Sequence, residues 1–233
     1  MNPLHIILMS ALFATATHDA GSDQRTSSYP PAWPRAGAVK LMENDRVAAY
    51  EVRYEVGRPS ILHQHRYPFV GLDLATTTIK VTDLDGKDHV FPVTRGNMWF
   101  LPRGAIHTEM STSAPARHLI AIDIKDVVRP DAANLTSYPA ASFAIDQKKV
   151  IDNDRVTIWN CGWRAGASGS KSFFARDVVM VFATTGAFAM SGVSGRAQVR
   201  RVREGQTLFL PAGTVRALSA VRGELRAMVV ELK

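Results

Sequence analysis

Three histidines carry the first chemistry legible in this chain. His63 and His65 stand two apart in ILHQHRYPFVG (61–71), a stretch that otherwise resembles a β-strand. Residues i and i+2 of a strand face the same side, so both imidazoles project together, as two ligands of one ion must. The same spacing also occurs on wet strand faces, where the pair is merely polar. A later stretch, Gly96-x5-Pro102-x-Gly104-x2-His107, supplies a third imidazole. Its Pro-x-Gly turn delivers His107 at the start of a strand, where it can approach a neighbouring one. His89 and His118 lack such spacing and read as surface or rim residues, and His5 and His18 lie in the N-terminal segment.

The elements that must position these side chains are short strands. Tyr50, Val52, Tyr54 and Val56 alternate with Glu51, Arg53 and Glu55, the pattern of a half-buried strand. Ile79–Val81, the turn DLDGKD (83–88) and VFPV read as a hairpin turning at Asp85-Gly86, and HLIAIDI (118–124) is a further strand. Long helical periodicity is absent, so the fold class is all-β. The pattern also repeats. Shifted by 109 positions without a gap, GNMWFLPRGAIH (96–107) falls on GQTLFLPAGTVR (205–216), Gly57 on Gly166, Gly86 on Gly195 and Val47 on Val156. This is a tandem duplication of a small β-domain.

Composition places two β-domains at 39–126 and 148–233, joined by a linker at 127–147 that contains RPDAANLTSYPAASF (129–143). Residues 17–38, rich in Ser, Pro, Gly and Ala, read as a flexible arm that Trp33 can anchor on a domain surface. The apolar run Leu4–Ala14 is shorter than the roughly 20 residues of a membrane span. Followed by Ala14-Thr15-Ala16, it reads as a secretory signal over 1–16, although no Lys or Arg precedes it. The expectation is export, periplasmic or secreted, with no membrane segment in the mature form; a cytoplasmic protein is the alternative if 1–16 is not a signal. The net charge of +7 is scattered, its densest run being RRVRE (200–204), and no nucleic-acid motif accompanies it, so no nucleic-acid partner is expected. The single cysteine, Cys161 in TIWNCGW, forms no internal disulfide and reads as a small core residue.

Together, G-x5-H-x-H (Gly57, His63, His65) and G-x5-P-x-G-x2-H (Gly96, Pro102, Gly104, His107) resemble the two-motif pattern of the cupin superfamily. The resemblance covers most of 45–125 and extends to 233 through the repeat. It implies two tandem double-sheet jelly-roll barrels and a metal held by His63, His65 and His107. One departure matters. Metal-binding cupins usually carry a Glu four or five residues after the second His, and here those positions are Phe69 and Val70, with no acidic residue before Asp73. Three neutral imidazoles remain. They suit Fe(II), the first expectation by likeness to three-histidine dioxygenases, or Zn, Ni, Mn or Cu. They leave the ion's full charge and open positions for an anionic or bidentate oxygen ligand.

Two further residues are candidates for catalysis. Tyr67 continues the His63/His65 face if the strand runs that far, against which Pro68 argues, and can donate to a substrate or be a core tyrosine. Glu109, two after His107, can be a base, an orienter of an imidazole N–H, a late carboxylate ligand or a rim charge. The second copy carries Ser172, Phe174 and Arg216 where the first has histidines, which implies that its metal site is lost. There Phe174 and Phe182 would fill the interior, and Arg216 would clamp a carboxylate or form a salt bridge at the mouth. The reading that follows is a metal-dependent two-barrel protein acting on a small organic, anionic molecule. Its chemistry would be that of a dioxygenase-like oxidoreductase or of a Lewis-acid lyase or isomerase. The alternative is a non-catalytic binding or sensing module. A small-molecule ligand is the expected partner, and a homodimer is possible because cupins commonly pair barrels.

Overall fold

Alternation of apolar and polar residues decides where the strands run and what each face meets. In the computed structural model the described residues are 29–233 apart from 145, 168 and 194. The segment read as a signal, with His5 and His18, lies outside them, as does the arm up to residue 28. The first half contains nine strands: β1 (Ala38–Glu43), β2 (Val47–Arg53), β3 (His63–Gln64), β4 (Phe69–Asp73), β5 (Thr77–Asp83), β6 (Asp88–Val93), β7 (Met98–Leu101), β8 (Ile106–Ser111) and β9 (His118–Ile124). The second half repeats them: β10 (Asp146–Asp152), β11 (Val156–Arg164), β12 (Ser172–Phe174), β13 (Val178–Phe182), β14 (Gly186–Ser191), β15 (Gln198–Val202), β16 (Thr207–Leu210), β17 (Thr214–Arg222) and β18 (Glu224–Leu232). Among the described residues there is no helix, and hence none long and apolar enough to cross a membrane.

Each half is a two-sheet barrel. In the first, a five-stranded sheet ordered β1-β2-β9-β4-β7 faces a four-stranded sheet ordered β3-β8-β5-β6. The second repeats this as β10-β11-β18-β13-β16 and β12-β17-β14-β15. The expected hairpin is β5–β6, with Gly86 at φ 78° in its turn, and Pro92 sits on edge strand β6, where its missing N–H costs no ladder bond.

The two five-stranded sheets are apolar on both faces. On one face of the first, Ala48, Tyr50, Val52, Phe69, Trp99, Leu119 and Ala121 line the barrel interior. On the other, Val47, Ala49, Val70, Leu72, Ile120 and Ile122 pack against Val156, Ile158, Val179, Val181, Met228 and Val230 of the second barrel. The barrels therefore stand back to back through one continuous core, which is why β4 and β13 are buried at every position. A buried ion pair, Arg46 Nε to Asp177 Oδ2 at 3.2 Å, pins the edge of this interface.

The repeat begins upstream of β1. Pro31 bridges Gln64 in parallel, and Ala140 bridges Phe173 in the same way at the same spacing of 109. Gln64 N donates to Pro30 O at 2.9 Å, and Phe173 N to Pro139 O at 2.8 Å. Residues 31–37 of the arm and 140–144 at the linker's end are thus matching straps, each packed on its own barrel. Trp33 anchors the first strap, 7% exposed, stacked on Tyr50 and donating its indole N–H to Asp123 Oδ1 at 3.2 Å.

Candidate metal centre

β3 lies opposite β8 with His63 paired directly to His107. The turn before β8 fixes that register. Gly104, at φ 94°, donates its N–H to His65 O at 2.9 Å, and His65 N donates to Ala105 O at 2.9 Å. A side chain at Gly104 would be strained in that left-handed conformation. His63 on β3, His65 just past its end and His107 on β8 thus bring three imidazoles together, each at most 3% exposed. His63 Nε2 is 3.3 Å from His65 Nε2, which is 3.4 Å from His107 Nε2, and the three potential ligand atoms lie within 4.8 Å of one another.

Burial, the largest cause, pushes all three imidazoles toward the neutral form: His65 well below the ordinary value, His63 below it, and His107 down to about 4. His63 Nδ1 lies 2.8 Å from Ile61 O and must donate there, which leaves its Nε2 lone pair facing the other two rings. With neutral rings, one proton forms one straight bond in the cluster; one cation serves three lone pairs. The donor set therefore fits a transition-metal ion. Phe69 occupies one of the positions where the resembling family carries a carboxylate, and its ring stacks on His65 at 4.3 Å, so it orients that ring instead of binding metal.

A chain of alternating charges runs behind the histidines. Trp99 Nε1 donates to Asp73 Oδ2 (2.8 Å), Arg117 Nε to Asp73 Oδ1 (3.1 Å), and Arg117 Nη1 to Glu109 Oε1 (2.9 Å). The Trp99 indole reaches this place because residue 71 is glycine, where a Cβ would meet the ring at 2.3 Å. Glu109 Oε2 accepts from the Tyr54 hydroxyl and from Arg35 Nη2 at 3.1 Å. Arg35 Nη2 also donates to Tyr54 Oη (2.6 Å), and its Nη1 lies 3.2 and 3.3 Å from the His63 ring nitrogens. Burial alone would raise the Glu109 pKa, but Arg117, His107, Arg35 and His63 outweigh it and hold the carboxyl well below its usual range. Burial and the Glu109 charge raise Tyr54, which stays protonated as a donor. The order Asp73, Arg117, Glu109, Arg35 alternates in sign, so the buried network is neutral overall.

No protein-family model matches the chain, and no curated protein matches it in sequence. Solved structures do. One from work on the Mn(II) centers of Bacillus subtilis oxalate decarboxylase matches with a TM-score of 0.59 at 10% identity, covering 83% of this chain and 74% of that one. A cupin 2 conserved barrel domain protein from Leptotrichia buccalis matches with a TM-score of 0.54 at 12% identity, covering 84% and 88%.

The fold is that of a bicupin.

Within this fold the sequence reading meets the structure unevenly. His63, His65 and His107 come together, and Glu109 stands beside them with Oε1 3.9 Å from His107 Nε2. Glu109 is no rim charge: it is 7% exposed and engaged at both oxygens. Tyr67 is placed elsewhere. β3 ends at Gln64, the face does not continue through Pro68, and Tyr67 lines a cleft with Trp33, Tyr50 and Asp123, its ring facing Arg103. His89 contacts Asp83, and His118 contacts Glu51. Arg35, Tyr54, Asp73 and Arg117 were not singled out as site residues. Arg35 lies in a stretch whose composition reads as an arm, and Tyr54 passes for one apolar residue of a strand face.

The second barrel has the same register without the chemistry. Ser172 pairs with Arg216 as His63 pairs with His107. Phe174 and Phe182, each 1% exposed, join Phe143, Trp163 and Phe188 in its core. Arg216 makes no ion pair among the described residues, so the salt bridge expected at the mouth is not found; its Nη1 donates to Val215 O at 3.0 Å. Cys161 is fully buried, and burial pushes its thiol up to about 12.

Proposed function

We propose that the first barrel holds one divalent transition-metal ion on the Nε2 atoms of His63, His65 and His107 and acts on a small organic anion. The carrying observation is the convergence of three buried, neutral imidazole nitrogens whose mutual contacts a single cation relieves. Bound there, the metal would supply Lewis acidity or a site for oxygen. The matching oxalate decarboxylase, a protein with Mn(II) centers, supports a divalent metal and says nothing specific for iron.

The chain's own residues do the rest. Ile61 O fixes the His63 tautomer, and Phe69 holds the His65 ring. Glu109, kept ionised by two arginines and accepting from Tyr54, places one negative charge next to the ligand shell. That bonding leaves Glu109 a charge anchor rather than a free base. The near-complete burial of the histidines keeps water out of the site.

Elemental analysis of protein purified without added metal tests the reading. One equivalent is expected in the wild type and none in His63→Ala or His107→Ala. A chain that carries no metal after soaking in Mn(II), Fe(II), Co(II) or Zn(II) removes the proposal. Oxygen uptake or turnover that follows metal content supports an enzyme. Organic-ligand binding unchanged by a chelator supports a binding module instead.

A further inference from the structure

Arg35 comes to the buried network from the strap, whereas Tyr54 directly follows β2, Arg117 directly precedes β9, and Asp73 and Glu109 lie in β4 and β8. The Arg35 side chain is only 5% exposed, with the guanidinium 4.7 Å from the Trp33 ring and 5.3 Å from the Tyr54 ring. The strap reaches this place because Ala32 N donates to Gln64 O (3.1 Å) and Arg53 N to Gly37 O (2.8 Å). Outside it lies a cavity of about 200 Å³ whose wall includes Arg35, Tyr54, Arg53, Arg58 and Ser60. Arg35 and Tyr54 therefore stand between this vestibule and the histidines. In the second barrel the matching strap position is Ala144, 8% exposed in an apolar core, so the fold does not require an arginine there.

Metal binding poses a problem that this arrangement answers. Arg35 Nη2 is committed to Tyr54 and Glu109, while Nη1 has only the His63 ring within reach. His63 Nδ1 is itself a donor to Ile61 O, so the lone pair available to Nη1 is that on Nε2. The same lone pair cannot serve both a guanidinium N–H and a metal ion. A loaded site leaves a buried Nη1 without its acceptor beside a second positive charge. An oxyanion placed between them restores both interactions, with a charge-assisted bond from the one free nitrogen, Nη1.

We infer that Arg35 is the specificity-determining residue of the first barrel, a strap-borne clamp that selects a small carboxylate entering from the vestibule and holds it against the metal. This rests on the metal reading above and names the substrate class of that site. The wall arginines of the vestibule are already paired, Arg53 with Glu51 and Arg58 with Glu55, so the preference for a carboxylate over a neutral analogue rests on Arg35.

The test uses the full chain loaded with Co(II), with metal content measured in every sample. Acetate, malonate and the neutral acetamide are titrated while the visible cobalt spectrum is followed. Wild type should respond saturably to acetate and malonate and not to acetamide. Arg35→Gln should keep its cobalt and bind both carboxylates at least about ten-fold more weakly. If Arg35→Gln does not fold, Arg35→Lys, which keeps the charge but cannot serve Tyr54, Glu109 and the Nη1 position together, is read by the same criterion. Loaded wild type that ignores acetate, responds equally to acetamide, or binds acetate no better than either variant overturns the inference while the metal reading stands. A chain that takes up no cobalt ends the metal reading, and the inference falls with it.

Discussion

Where the first barrel carries Tyr54, Asp73, Glu109 and Arg117, the second carries Trp163, Phe182, Leu218 and Leu225 in the same register. Arg35 of the first strap corresponds to Ala144 of the second. Every polar position behind the histidines has an apolar counterpart, and the strands still pair as they do in the first barrel. An apolar filling is therefore sufficient for this fold, and the ionic network is not needed to close a barrel. Buried ion pairs are weak contributors to net stability, because desolvation offsets their attraction. The network is better understood as support for the histidines and for whatever they hold.

Moving residues between the barrels gives the sharpest test. Glu109→Leu alone leaves the buried Arg35 guanidinium without a carboxylate and Arg117 with Asp73 only, and should cost about 3–5 kcal/mol by chemical denaturation. The five-residue exchange Arg35→Ala, Tyr54→Trp, Asp73→Phe, Glu109→Leu and Arg117→Leu should recover most of that loss, since no unpaired charge remains. A quintuple variant less stable than Glu109→Leu would show that the network itself holds the first barrel together. In the opposite direction, Phe174→Ala empties the place that His65 occupies in the first barrel. It should cost about 3–5 kcal/mol and leave metal content unchanged.

Acid should separate the barrels next. In the metal-free chain His107 titrates near 4, against an ordinary value of 6.5, with burial as the main cause. As pH falls the unfolded chain therefore takes up this proton first. The stability contribution is complete above pH 6.5 and is lost between about 6.5 and 4, a change on the order of 3 kcal/mol for this group. His63 and His65, also lowered, act in the same direction. Metal should move the acid unfolding midpoint lower, because the same lone pairs are then occupied. Denaturant curves from pH 7 to 4, with and without metal, measure both effects. A flat profile in the metal-free chain would contradict the neutral buried histidines.

How much of this was legible in the sequence depends on how local the signal is. His63, His65 and His107 could be read because each motif is short and its turn glycines have a steric reason, as at Gly104. Arg35 could not. Its place depends on a strap whose bonds run to Gln64 and Arg53, and the pairs Trp33/Ser142 and Arg35/Ala144 share no residue type to betray the repeat. Arg117 was hidden by arithmetic. A gapless shift of 109 sets it opposite Arg226, whereas the strand register, Asp73 to Leu119 and Phe182 to Ala227, shifts the last strand by 108 and sets it opposite Leu225. Tyr67 lies off the histidine face because β3 ends at Gln64, three residues before it. The back-to-back packing was written in FVGLD and VVMVF, runs apolar enough to be covered on both sides.

The smallest expected effect lies at the strap's anchor. In both barrels an acid at the same register accepts an indole N–H, but the indole arrives on different elements. Trp33 of the strap reaches Asp123 at 3.2 Å, and Trp159 of β11 reaches Glu231 at 2.6 Å. Burial pushes Asp123 up to about 7, against the lowering influence of Trp33 and Lys125. A carboxyl raised above its unfolded value of 3.8 contributes fully below that value, and the contribution is lost as pH rises toward 7. This is opposite in sign to the histidines over the same window. Asp123→Asn keeps an oxygen for the Trp33 N–H and removes the buried charge. The variant should therefore be the more stable protein at pH 8, by about 1 kcal/mol or roughly 2–4 °C in Tm, with the advantage gone by pH 4. If instead it is less stable at pH 8, the ionised carboxylate is what holds the strap, and the first barrel differs from the second in its anchor as well as in its interior.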